Sequence, residues 1–173
     1  MAYMTLEYKS LAQMKGVTIR AFLPDAKVLG ADPAPLKTVY FLPGFSADST
    51  EIVTWLRLRR QSELKNLAVI LVDGENRFYI DHPEKYQSYS TFVGKEVVET
   101  TRRLLPLSDR REDTFIAGIS MGGYGALYNG LRFRETFGRI AAISPATDIY
   151  RVFREVPTAG FLAEQLRDLF GPF

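Results

Sequence analysis

Four apolar runs constrain the fold of this chain more than any other feature: 38–44 (TVYFLPG), 67–74 (LAVILVDG), 114–120 (TFIAGIS) and 139–145 (RIAAISP). Each is continuous, and each ends in Gly, Ser or Pro. A strand with one wet face must alternate apolar and polar residues. Strands without that alternation are buried on both faces, which requires a parallel sheet covered by helices. The stretches between them have helical character. STEIVTWLRLRRQSEL (49–64) opens on Ser49 and Thr50 as candidate caps, and STFVGKEVVETTRRLLP (90–106) repeats apolar residues at Val93, Val97 and Leu104 before Pro106 stops it. MGGYGALYNGLRF (121–133) follows the third run directly, and the segment 157–173 is amphipathic through Phe161, Leu162, Leu166 and Leu169.

The first residues read differently. TLEYKS (5–10) and GVTIRAFLP (16–24) alternate, with Leu6, Tyr8, Val17, Ile19 and Ala21 on one side, and they join through a turn near Lys15-Gly16. They predict two half-buried antiparallel strands. The Pro-rich 30–36 interrupts regular structure, and strand then alternates with helix, giving a mixed α/β sheet in a single domain over 1–173. The last strand, 139–145, has no later strand to pair with. Its bare apolar edge predicts an incomplete sheet, covered by a partner copy or a missing segment.

The 173 residues carry a net charge of +2, with Arg57, Arg59 and Arg60 grouped on what reads as a solvated helix face, so no footprint for nucleic acid or an anionic membrane is expected. The absence of cysteine excludes disulfides and thiolate chemistry, with one histidine no metal site is expected, and no cofactor motif is present. Neither a signal peptide nor a membrane span is visible, and a cytoplasmic location is the expectation.

AGISMGGYGALYNG (117–130) is where the chemistry is expected. A tight turn from a buried strand into a helix raises a serine above the sheet in a strained conformation, and β-carbons on its flanks would collide with strand or helix. Gly118 and Gly122 occupy those flanks, Ser120 is the candidate nucleophile, and the Met121 amide opens the helix toward a developing oxyanion. A nucleotide-binding loop would need a glycine at 128, which is Tyr128. A second oxyanion donor is expected from the loop after the first buried run, where Gly44 gives backbone room and Phe45 offers its N–H.

FLPGF, VILVDGENRFYID, FVGKEVVETTRRLLP and AGISMGGYGALYNGLRFRETFGRIAAISPA together resemble the putative esterase family of α/β-hydrolases, which includes tributyrin esterases, esterase D-type S-formylglutathione hydrolases, feruloyl esterases and mycolyltransferases. The likeness covers essentially the whole chain. It implies an α/β-hydrolase fold, a Ser-Asp-His triad with Ser120 as nucleophile, and Met121 and Phe45 as oxyanion donors. Where the family commonly has histidine before the loop glycine, this chain has Pro43. The family's acid and base follow later strands, so the resemblance implies that the C-terminal part of the domain lies outside this chain, which alone is expected to be inactive. The absence of cysteine and the PGFSADST loop fit the tributyrin-esterase-like branch.

His82, in FYIDHPEKY after the second run, is expected on the same rim of the sheet as Ser120, as a surface residue, a pocket residue or a base. Asp148 suits a helix start or an acid. Asp73 and Glu75, with Asn76 and Tyr79, shape an acyl or alcohol pocket or make the turn. The expected function is hydrolysis of short-chain acyl or acylated carbohydrate esters, with an acyltransferase or a non-catalytic binding module as alternatives.

Overall fold

A computed structural model describes residues 1–25, 30, 35–149, 151 and 160–171, with the side chains of Phe161 and Leu162 and most of the Pro-rich 30–36 outside the described set. The first two strands, β1 (Ala2–Ser10) and β2 (Lys15–Leu23), form the antiparallel pair, register Leu6 opposite Ile19. The four apolar runs become β3 (Lys37–Leu42), β4 (Leu67–Val72), β7 (Thr114–Ile119) and β8 (Arg139–Ile143). The sheet order is β1-β2-β4-β3-β7-β8, with β2 antiparallel to β4 and the last four strands parallel.

Adjacent residues of the central strands enter different cores, as strands covered on both faces require. Tyr40, Leu42, Ile70 and Ile116 join Val93, Val97, Met121 and Phe137 on one side. Phe41, Val69, Leu71 and Ala117 meet Phe22 and Ile52 on the other. The Tyr40 hydroxyl pairs with Thr101 Oγ1 at 2.8 Å, and burial pushes its pKa up to about 12. Among the described residues β8 pairs on one side only, with β7, and its exposure alternates.

Two helical expectations shift in detail. Helix α1 (Ser49–Trp55) is capped by Asp48, whose Oδ1 accepts from the N–H groups of Thr50 and Glu51, and not by Ser49 or Thr50. Arg57 then adopts φ 47° and breaks the stretch before α2 (Leu58–Lys65). The second stretch runs from α3 (Tyr89–Thr91) through a π turn (Phe92–Glu96) into α4 (Val97–Leu104). A π turn inserts one residue and advances the apolar stripe, so Leu104 is 55% exposed and Leu105, 7% exposed, takes the core position. The Phe133 ring fills the space where a Gly94 β-carbon would stand.

A short hairpin, β5 (Asp81–His82) with β6 (Gln87–Ser88), leads into α3. Helix α5 (Met121–Arg132) lies between β7 and β8 in sequence, and α6 (Phe161–Phe170) buries Ala163, Leu166 and Leu169. Among the described residues, no helix is long and apolar enough to cross a membrane.

Candidate active site

Ser120 stands between β7 and α5 with φ 55° and ψ −116°, a left-handed conformation that costs a non-glycine residue on the order of 1–3 kcal/mol. Its backbone is held from both sides. The Ser120 N–H donates to the Ile143 carbonyl at 2.9 Å, and its carbonyl accepts from Tyr124 N–H at 3.0 Å and Ala146 N–H at 3.1 Å. The side chain is exposed. The two flanking glycines are steric necessities here. A β-carbon on Gly118 would lie 2.1 Å from the Gly122 carbonyl oxygen, and one on Gly122 would lie 1.9 Å from the Leu42 carbonyl oxygen. Because Tyr124 makes the first backbone hydrogen bond of α5, the amides of Met121, Gly122 and Gly123 precede any intrahelical acceptor, at the positive end of the dipole. The Met121 side chain itself is buried.

The loop after β3 closes against this turn: a β-carbon on Gly44 would sit 3.5 Å from Ser120 Cβ. That brings the backbone next to Phe45 beside the serine. Three residues following β4 fix the loop. Asn76 Oδ1 accepts from Ser46 N–H at 2.6 Å. Asp73 accepts from the Ser49 N–H at 2.6 Å and from its hydroxyl at 2.9 Å. The Tyr79 hydroxyl donates to the Pro43 carbonyl at 3.0 Å. Burial raises the Asp73 pKa, opposed by the two Ser49 hydrogen bonds. Arg20, which also donates to Ser49 Oγ, lies 3.8 Å from Asp73.

Of the expected pocket residues, Gly44 lies against Ser120 and Asn76 braces the loop, but Tyr79 does not line an open pocket. It is fully buried, its ring in the space left by Gly74 and Gly125. Sequence reasoning missed the clamp by Asp73, since an aspartate at a strand end carries no signal of its partner. It also missed an aromatic wall. Tyr124, one turn along α5 from Ser120, packs on Phe78 at 5.6 Å between ring centroids, Phe78 meets Phe170 at 5.3 Å, and Phe45 adjoins at 6.4 Å. Burial raises the Tyr124 pKa, as does Tyr128 stacked beside it.

His82 lies in the β5–β6 hairpin, whose Ser88 N–H donates to the Ala12 carbonyl in the β1–β2 turn. After Phe78 the chain runs down α5: the Tyr79 carbonyl accepts from Asn129 Nδ2 at 3.1 Å, and Asp81 Oδ2 meets Arg132 at 2.8 Å. Arg132 is 12 residues from Ser120 and thus about 18 Å along the helix. His82 pairs with Gln87 across the hairpin, and its Nδ1 lies 3.2 Å from Glu84. Asp148 Oδ1 accepts from Arg151 N–H at 2.8 Å, the helix-start arrangement. Among the described residues no cluster of His, Asp and Glu is placed to hold a metal ion.

A mostly parallel sheet that ends a central strand in a left-handed serine, followed at once by a glycine-rich helix, defines the α/β-hydrolase class of fold. Residues 12–161 match the family described as Putative esterase, and the chain belongs to that family. It is 41% identical over 157 residues to an acetyl esterase of Caldicellulosiruptor saccharolyticus, covering 88% of this chain and 59% of that protein. Among solved structures it is similar to FphF, a fluorophosphonate-binding serine hydrolase of Staphylococcus aureus, with a TM-score of 0.84 and 26% identity over 99% of this chain and 66% of that one. It is also similar to the S-formylglutathione hydrolase FrmB of Staphylococcus aureus, with a TM-score of 0.81 and 27% identity over 96% and 66% of the two chains. The chain thus spans less than two thirds of the length of the acetyl esterase and about two thirds of the other two.

Proposed function

We propose that this chain carries the nucleophile and oxyanion hole of a serine carboxylic ester hydrolase. Ser120 attacks the ester carbonyl, the Met121 and Phe45 amides receive the negative charge, and the alcohol leaves an acyl-enzyme on Ser120 that water then hydrolyses. One observation carries this reading: Ser120 is exposed in a left-handed turn, at the start of a helix with free amides, and the Gly44 loop is in contact with it. Family membership and the likeness to an acetyl esterase support it. Short-chain acyl esters are the proposed substrates, acylated carbohydrates included, in keeping with the family and with the likeness to an acetyl esterase.

Among the described residues, the side-chain hydrogen bond of His82, the chain's single histidine, runs to Glu84 and not to Ser120. Without a base, a serine hydroxyl is a weak nucleophile at neutral pH. Hydrolysis of p-nitrophenyl butyrate, measured beside Ser120→Ala and with imidazole as an added base, tests the proposal. Little turnover without imidazole and a Ser120-dependent increment with it are expected. Equal rates for parent and variant at every imidazole concentration would favour a non-catalytic binding module built on the same turn.

A further inference from the structure

Helices α1 and α2 meet at Leu56 and Arg57 and lie over one face of the sheet. Their inner side is accounted for. Ile52 belongs to the core of Phe22, Phe41 and Leu71, with Leu56 and Leu58 packed against it, and Ser62 Oγ donates to the Leu67 carbonyl at 2.7 Å. Their outer side is not. Trp55, the only tryptophan of the chain, is 76% exposed, and Leu64 is 64% exposed. An exposed leucine is ordinary, but an indole left in water forgoes one of the largest apolar burials a side chain offers.

Four cations share this side. Arg57, Arg59, Arg60 and Lys65 are all exposed, and between Trp55 and Lys65 the one carboxylate is Glu63. The whole chain carries only +2, so its surplus positive charge is concentrated here. Among the described residues, none of the four makes an ion pair or a side-chain hydrogen bond. Arg20, Arg77, Arg102 and Arg132, elsewhere in the chain, each donate to a side-chain oxygen. Arg57 stands at the start of α2 with φ 47° and makes no cap bond, so its side chain has no task within the helix.

The chemistry of the patch selects its partner. A guanidinium fork takes a carboxylate through two parallel hydrogen bonds, and tryptophan and arginine are the side chains that dominate protein interfaces. From Arg57 to Lys65 is about 12 Å along the helix, the span of about four residues of extended peptide. A bilayer surface calls for a continuous apolar face, whereas exposed Arg59, Arg60 and Gln61 separate Trp55 from Leu64. A nucleic acid is held through a longer row of phosphate contacts than this short helix offers.

We propose that the outer face of α1 and α2 docks an acidic polypeptide segment of a partner protein, with its carboxylates on the arginines and Lys65 and an apolar side chain over Trp55. The surface uses no residue of the serine turn, so it does not depend on the hydrolytic reading.

Because Trp55 is the only tryptophan, the emission of the 173-residue chain reports directly on the patch. Titration with a capped nine-residue peptide of three Glu-Glu-Leu repeats is expected to give a saturable blue shift, weakened by added salt as charge screening rises. The double variant Arg59→Glu with Arg60→Glu keeps the reporter and changes only exposed side chains, so it is expected to keep the parent's thermal midpoint and to bind at least about tenfold more weakly. Trp55→Ala, followed by calorimetry, is expected to weaken binding as well. No saturable shift, or a shift that the double variant leaves unchanged, would overturn the proposal. Tighter binding to a DNA duplex or to phosphatidylserine vesicles than to the peptide would overturn it in favour of a phosphate-bearing partner. A shift that grows with the chain's own concentration, without peptide, would instead assign the surface to a second copy of this chain.

Discussion

The Tyr79 hydroxyl donates to the Pro43 carbonyl at 3.0 Å, and through that bond a fully buried ring ties the segment after β4 to the loop beside Ser120. The same hydroxyl also reaches the Val72 carbonyl at 3.3 Å. Tyr79→Phe keeps the ring and removes only the donor. It is expected to cost about 1–3 kcal/mol in chemical denaturation, because buried carbonyls lose their partner. A loss below about 0.5 kcal/mol would show that the loop is held by other contacts.

Gly122→Ala should fail more severely. The new β-carbon meets the Leu42 and Pro43 carbonyl oxygens at 1.9 and 2.4 Å, and backbone on both sides leaves no flexible group to yield. Loss of soluble folded protein, or more than about 3 kcal/mol of stability, is expected. Gly16→Ala, with nothing within 4 Å of the new atom, is the matched control and should be nearly neutral.

Strain at Ser120 gives a prediction with the opposite sign. At φ 55° and ψ −116° a glycine is relaxed and any β-carbon is not. Ser120→Gly is therefore expected to be more stable than Ser120→Ala by about 1 kcal/mol or more, read from thermal or urea midpoints. Equal midpoints would mean that the turn is not strained in solution.

Asp73 separates a hydrogen-bonding role from a charge. Asp73→Asn keeps an oxygen to accept from Ser49 N–H and removes a carboxylate whose pKa burial has raised, so its cost should be small. Asp73→Ala leaves the Ser49 amide unpaired, with a loss of about 1–3 kcal/mol. Any Ser120-dependent hydrolysis should fall with the alanine and survive the asparagine. Equal losses would place the importance in the charge.

Glu75 predicts an acid limb. Burial pushes its pKa up, but hydrogen bonds from Lys15 and Tyr89 outweigh it and hold the group below its ordinary value of 4.5. A depressed carboxylate adds stability that is present above 4.5 and lost as pH falls through the lowered folded value. Glu75 is half exposed, so the effect is modest, below about 1 kcal/mol. Glu75→Gln should flatten the stability profile below pH 4.5 and leave its slope near neutrality unchanged.

The sheet was legible because burial on two faces leaves a continuous apolar signature, and β3, β4, β7 and β8 fall within the four runs. The elbow glycines were legible for a steric reason that needs no tertiary knowledge. The course of the chain after β4 was not, because it depends on Glu75, Asn76, Phe78 and Tyr79, all with positive φ and none a glycine. No local rule predicts a left-handed run in such residues; the aromatic packing of Phe78 and the buried ring of Tyr79 impose it. Leu104 was misplaced for a similar reason, since the π turn that shifts the helix phase depends on Phe133, far along the chain.

Ser120 also takes part of its position from the strand beyond it. Its N–H is anchored on Ile143 and its carbonyl on Ala146 as well as Tyr124, so two of these three backbone hydrogen bonds come from the end of β8 and the residues just after it, and the other edge of β8 pairs with nothing among the described residues. The serine turn is thus sprung from the sheet's outermost rail. A strand or partner that straightens, tilts or slides that rail moves the serine with it, with no intermediate element to absorb the displacement.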